Sequence, residues 1–164
     1  MSIDLNNLKE QLQGIFQTAN TTTASRDLSS GLTTRVQRVL KINPARIPPQ
    51  ASWINCVTIW IDSKALEEKT IAQNQMAAKR AAKVQVKIAG LVWNTAMNDN
   101  EVDDASEDCE DLMENIEEIL RSNPTVAGVA TWSFPTDVTY FNEQVGEETH
   151  LRAGVLTLQT TVYY

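Results

Sequence analysis

The sequence predicts an α+β domain in which a mainly antiparallel sheet is backed by two principal helices on one face. Apolar residues recur at helical spacing in only two segments, one near the beginning and one in the second half. Between and after them lie β-branched stretches with period-two alternation. Turns rather than helical crossovers separate most of those stretches, which selects antiparallel pairing. The 164 residues suit one domain, 1–164, because domains of about 100–150 residues are typical and a chain of this size buries about 70% of its unfolded surface.

Leu5, Leu8, Leu12, Ile15 and Phe16 share one face while Lys9, Glu10, Gln11 and Gln13 fill the other, which predicts a helix over 4–18. The following TANTTTASRDLSSG has no periodicity and reads as a surface connector. RVQRVLKI, at 35–42, fits a short strand or a helical turn, and Pro44, Pro48 and Pro49 then impose an extended path. Over 54–61, Val57, Ile59 and Ile61 alternate with Cys56, Thr58 and Trp60, the pattern of a central strand. Residues 63–80 score as helix by propensity, with the tip of a long hairpin as the competing reading. Val84, Val86 and Ile88 share one parity, and the apolar positions then move to Leu91 and Trp93 across Gly90, which predicts a β-bulge at that glycine.

MNDNEVDD is turn-rich and leads into a helix over 103–122. Ala105, Cys109, Leu112, Met113, Ile116, Ile119 and Leu120 form its apolar stripe. Asp103 or Asp104 is expected to cap its start and Arg121 to complement the dipole at its end, where Asn123 and Pro124 stop it. Beyond it, Val126, Ala130, Trp132 and Phe134 share one strand parity and Val138 and Tyr140 another. NEQVGEET reads as a hairpin turn or short loop, and the last strand places Leu156, Leu158 and Val162 on one face.

The formal charge of −7 argues against a general nucleic-acid binder, since phosphate contacts need clustered Lys and Arg. No apolar run approaches the roughly 20 residues of a membrane span, and the opening MSIDLNNLKEQ lacks the basic region and apolar core of a signal peptide. The expected location is cytoplasmic, with no membrane partner. Cys56 and Cys109 are expected as small buried hydrophobes rather than a disulfide. The charge is uneven: more than half of the 21 acids lie in 99–118, with no Lys or Arg among them. Basic residues concentrate at Arg35, Arg38, Lys41 and Arg46, and again at Lys79, Arg80, Lys83 and Lys87. Asp104, Glu107, Asp108, Asp111, Glu114 and Glu118 belong to the polar side of the second helix. That side is either solvated or complementary to a basic partner, because patches of opposite sign steer and register association.

Little is arranged for catalysis. The one histidine, His150, opens the last strand. No Gly-rich phosphate loop precedes a helix, and no nucleophile motif surrounds a Ser or Cys. Counting from Asp99, calcium-loop spacing puts Glu110 at the twelfth position but Asp104 at the sixth, where the loop requires glycine. The carboxylates of 107–118 lie on a polar helix face rather than in a cleft that would shift their pKa values. The expectation is a non-enzyme without metal or other cofactor; a small metal-dependent enzyme working through the acidic cluster is the reading furthest from it. Trp53, Trp60, Trp93 and Trp132 all lie in strand patterns as core candidates, and Trp60, opposite in parity to Val57 and Ile59, is also a candidate interface anchor.

After an N-terminal helix come INCVTIWID, AKVQVKIAGLVWN, DLMENIEEILRSNP and AGVLTLQTTVYY, in that order. This outline resembles the tail terminator, or tail completion, proteins of tailed bacteriophages. Residues 109–164 carry most of it, with a helix ending in Asn-Pro and an aromatic-ending strand. The resemblance implies a structural virion protein of the tail or neck, assembled in the host cytoplasm. It implies a ring, usually a hexamer, that caps the completed tail tube and joins it to the head-side connector. The implied partners are further copies of this chain, the tail tube protein and a connector or stopper protein, with DNA only passing through an acidic channel. A head-to-tail stopper or a minor tail protein of the neck shares the outline. On this reading, edges of opposite sign meet head to tail between subunits. Lys64, Lys79, Arg80 and Lys83, on a projecting segment, are then the candidate contacts, with Trp60 as an anchor.

Overall fold

The computed structural model describes residues 4–46, 55–67, 81–94, 99–145 and 149–163. The elements are helix α1 (Leu5–Ala19), strands β1 (Arg38–Leu40), β2 (Asn55–Glu67) and β3 (Ala81–Asn94), helix α2 (Asp99–Ser122), and strands β4 (Trp132–Val145) and β5 (Thr149–Tyr163). They form one sheet in the order β1-β2-β3-β5-β4. β1 runs parallel to β2, and every other neighbouring pair is antiparallel, the α+β arrangement that the alternating runs imply.

Both helices pack on the same sheet face. Leu8, Leu12 and Phe16 of α1 join Cys109, Leu112, Met113, Ile116, Ile119 and Leu120 of α2 in one core with Val57, Ile59, Val86, Ile88, Leu156 and Leu158. Removing each such side chain from water contributes about 1.5–3 kcal/mol. Asp4 caps α1 by accepting from the Asn7 amide at 2.9 Å. At the end of α2, Asn123 donates its side-chain amide to the Ile119 carbonyl at 2.8 Å, closing the helix where Pro124 prevents its continuation. The tightest point of the core is glycine on glycine. Gly90 and Gly154 are cross-strand partners. A Cβ on Gly154 would sit 2.4 Å from Met113 Cγ, and one on Gly90 would sit 2.8 Å from Met113 Sδ. Two missing side chains let α2 settle directly onto the sheet.

Several local expectations are corrected. Gly90 is not a bulge, for β3 stays in unbroken register with both neighbours there. The apolar positions change parity because Leu91 and Trp93 serve a second apolar cluster on the reverse face. The irregularities lie instead at Asp62 in β2 and Thr136 in β4. Residues 63–67 are strand, not helix, with Glu67 opposite Ala81; pairing to a strand already held by β5 overrides helix propensity. The remainder of that segment, 68–80, lies outside the described residues.

α2 begins at Asp99, so Asp103 and Asp104 lie inside the helix rather than capping it; acidic residues in opening turns complement the helix dipole and suit this extension. Val126 and Ala130 belong to successive turns rather than a strand. The Val126 amide reaches the Asn123 carbonyl at 3.1 Å and the Ala130 amide reaches that of Thr125 at 2.9 Å. Val126 and Ala127 take positive φ of 46° and 55° there, and the fully buried Val126 is the reward for that backbone cost. The ambiguous 35–42 segment resolves as β1.

Candidate functional site

The acidic side of α2 divides into two parts. One part holds the Thr/Ser-rich connector, which is not merely a surface link. Its Leu28 is fully buried, with Ser29 and Val36 buried beside it. The Asp108 carboxylate accepts from the Thr33 amide and hydroxyl, each at 3.2 Å. Asn115 donates to the Leu28 and Ser30 carbonyls at 3.1 and 2.8 Å. Gly31, at φ +79°, passes so close to Asp111 that a Cβ would meet its carboxylate at 2.9 Å. Arg26 reaches Glu118 at 3.2 Å. Within the connector, Arg35 pairs with Asp27 at 2.7 Å, and that hydrogen bond holds the Asp27 carboxyl below the usual carboxylate range. Asp104, Glu107, Glu110 and Glu114 make up the other part, and all are exposed.

On the reverse sheet face, cross-strand partners form rows that change character along the strands. One end is apolar: Cys56, Ala89, Leu91, Leu151 and Ala153 are buried there, with Trp60, Trp93 and Val155 packed against them. Burial pushes the Cys56 thiol up to about 11, and burial pushes Cys109, under α2, up to about 12. The other end is polar and aromatic. Gln85, Gln159 and Phe134 form one row, and Lys83, Thr161 and Trp132 the next. Trp132 is 54% exposed and Phe134 42%, their ring centroids 6.4 Å apart, and Phe141 is also exposed.

These aromatics sit on β4, a 14-residue strand at the end of the sheet. Among the described residues β4 pairs only with β5. Near its start the outer side is taken, since the Ser133 amide donates to the Pro124 carbonyl at 2.7 Å and Pro135 has no amide to offer; beyond them a strand edge without a neighbour is a template for another strand. Its charged side chains are Asp137 and Glu143, both exposed. On its helix side lies Tyr140, whose phenol is pushed above its usual range by burial first, then by Cys109, Glu110 and Glu114. The Arg152 guanidinium stands 5.6 Å from that ring centre. The opposite end of the sheet is open too. β1 covers only 56–58 of β2, so the outer side of β2 over 59–67 carries no strand among the described residues.

Lys64 and Lys83 are both exposed but do not share a face. Lys64 pairs with Val84 on the helix side, and Lys83 pairs with Ala65 on the reverse side. Lys79 and Arg80 lie outside the described residues. Trp60 is half-buried in the reverse-face cluster. The β4 aromatics are readable in WSFPTDVTYF, but the strand pattern made Trp132 a core candidate, with Phe134 on the same parity, and both are exposed. Pro135 was the available signal, because proline in a strand favours an edge position.

An open groove of about 730 Å³ lies between the second half of α1, residues 21–26 and the end of α2, with Ile15, Ala19 and Ile119 among its lining residues. Among the described residues, no group of three or more His, Cys, Asp or Glu side chains is placed to hold a metal ion. Nor is any helix there long and apolar enough to cross a membrane.

No protein-family model matches the chain, and no curated protein matches it. Among solved structures, it is similar to a chain of the "Virion of native gene transfer agent (GTA) particle" at 10% identity. That comparison covers 93% of this chain and 95% of the other, with a TM-score of 0.34.

Proposed function

We propose that this chain is a structural virion component of the tail terminator or tail completion kind, acting by self-assembly rather than by chemistry. In that role copies form a ring, a hexamer in the usual case, that caps the tail tube and meets the head-side connector, while DNA passes through. The observation that carries the reading is the edge strand β4, with Trp132, Phe134 and Phe141 exposed, at one end of a sheet whose other end, β2 over 59–67, carries no further strand among the described residues. Both edges belong to a fold whose helices are committed to a single face. The sequence outline over 109–164 supplies the class. The exposed carboxylates Asp104, Glu107, Glu110 and Glu114 suit either a channel wall that repels phosphate or contact with a basic partner.

Light scattering after size exclusion, over a range of protein concentration, tests the self-assembly. A mass of several subunits, followed by capping of purified tail tubes that halts their growth, is the expected result. A ring that binds the head-side connector but leaves tubes growing would move the protein to a stopper role. A chain that stays monomeric and binds neither tube nor connector overturns the proposal.

A further inference from the structure

We infer that β4 over 137–143 takes an extended segment of a different chain as an added antiparallel strand, one with Lys or Arg opposite Asp137 and Glu143 and a β-branched residue opposite Phe141. The inference goes beyond the proposed function, since it names the chemistry of a second partner and does not depend on self-assembly.

The start of β4 is unsuited to strand addition. The Ser133 amide is already used, Pro135 has no amide, and the register breaks at Thr136. From Asp137 onward the pairing with β5 is regular, and among the described residues no strand lies on the other side. Residues 137–143 are long enough for a common strand of about 5–6 residues. Asp137, Thr139, Phe141 and Glu143 line the reverse face of this stretch, all exposed, while Val138, Tyr140 and Asn142 line the helix side.

Charge selects the occupant. Asp137 accepts from the Thr136 hydroxyl at 2.8 Å, and no described Lys or Arg pairs with it or with Glu143. Like charges directly opposite each other oppose strand pairing, and opposite charges support it. In a symmetric antiparallel contact that overlaps 137–143 fully, Asp137 of each copy stands opposite Glu143 of the other. The other uncovered edge in this chain, 59–67 of β2, offers one cation, Lys64, with Asp62 two positions away. Neither contact gives both carboxylates a cation, whereas a strand with cations six residues apart does. The helix side favours the same occupant: burial first raises the Tyr140 phenol, and Cys109, Glu110 and Glu114 raise it further, against a single guanidinium from Arg152. Charged side chains and bulges are the usual guards of a strand edge. Here they turn away a second copy and admit a strand of opposite charge.

NMR of the full chain with a capped peptide, Lys-Thr-Val-Thr-Val-Thr-Lys, tests the inference. The expected result is saturable shifts and slowed amide exchange centred on 137–143. A peptide with Glu in place of both Lys, and one N-methylated at every internal residue, should not bind. Asp137→Asn with Glu143→Gln, both at exposed positions and checked by thermal melting, should weaken binding about 2- to 30-fold. An absence of shifts at 137–143 with millimolar peptide overturns the inference. So does equal binding of the Glu-ended or the N-methylated peptide, or an unchanged affinity in the double variant. Slowed exchange at 137–143 in the chain alone, growing with protein concentration, assigns the edge to a second copy and likewise overturns it.

Discussion

On the helix-covered face Gly90 and Gly154 meet side by side so that Met113 can lie against the backbone. One strand further, β4 holds Trp132 and Phe134 out on the reverse face, where no helix packs among the described residues. The first region leaves no room for even a methyl group, whereas the second leaves large aromatics half exposed. Tight packing specifies a unique arrangement and makes each volume change costly. Exposed aromatics on the edge strand do nothing comparable for the fold, and in the proposed role they serve a contact with another chain.

Substitutions measured by chemical denaturation test that contrast. The largest effect is expected at Phe16, fully buried between α1 and the sheet: Phe16→Ala should lose about 3–5 kcal/mol. Gly154→Ala should cost about 1–3 kcal/mol through overpacking. Pairing it with Met113→Ala should give a combined loss smaller than the sum of the two, by roughly 0.5–3 kcal/mol. Strict additivity would mean that the two residues do not meet.

Asp108→Ala should cost about 1–3 kcal/mol, because it leaves the Thr33 amide without its acceptor and loosens the connector from α2. Faster hydrogen exchange over 27–36 with little change at β5 would locate the effect. A smaller, pH-dependent effect belongs to Asp27. Its folded pKa lies below the unfolded value of about 3.9, so its contribution is present above that pH and is lost as pH falls through the folded pKa. Asp27→Asn should remove that increment, under about 1 kcal/mol for a partly exposed pair, and flatten the stability profile below about pH 4.

The smallest effect on folding should come from Trp132→Ser, within about 0.5 kcal/mol of the parent, together with a lower solution mass at equal concentration. A large loss of stability there would mean that the β4 aromatics serve the fold after all.

The α2 stripe was legible residue by residue, since the seven apolar positions that share a helical face are those that the core receives. The α1 face and the Leu156, Leu158 and Val162 parity were legible for the same reason. Periodicity reports which residues must leave water, and it needs no knowledge of the partner. It misled where a strand serves two apolar faces: the shift at Gly90 reads as a bulge in one dimension and as a second cluster in three. It was also silent on the connector, because Leu28 is a single apolar residue in a polar run and becomes core only through Asp108 and Asn115 on α2.

The candidate site divides in the same way. The opposite charges of 35–46 and 122–151 are a property of the sequence. That Arg38 on β1 and Asp137 and Glu143 on β4 sit at opposite ends of one sheet was decided by strand order, with β5 inserted between β3 and β4. Local patterns determine which elements form and which side of each is apolar. Which strand is left at the edge depends on long-range pairing, whose hydrogen bonds are chemically alike for every candidate neighbour and are selected only when the whole core packs.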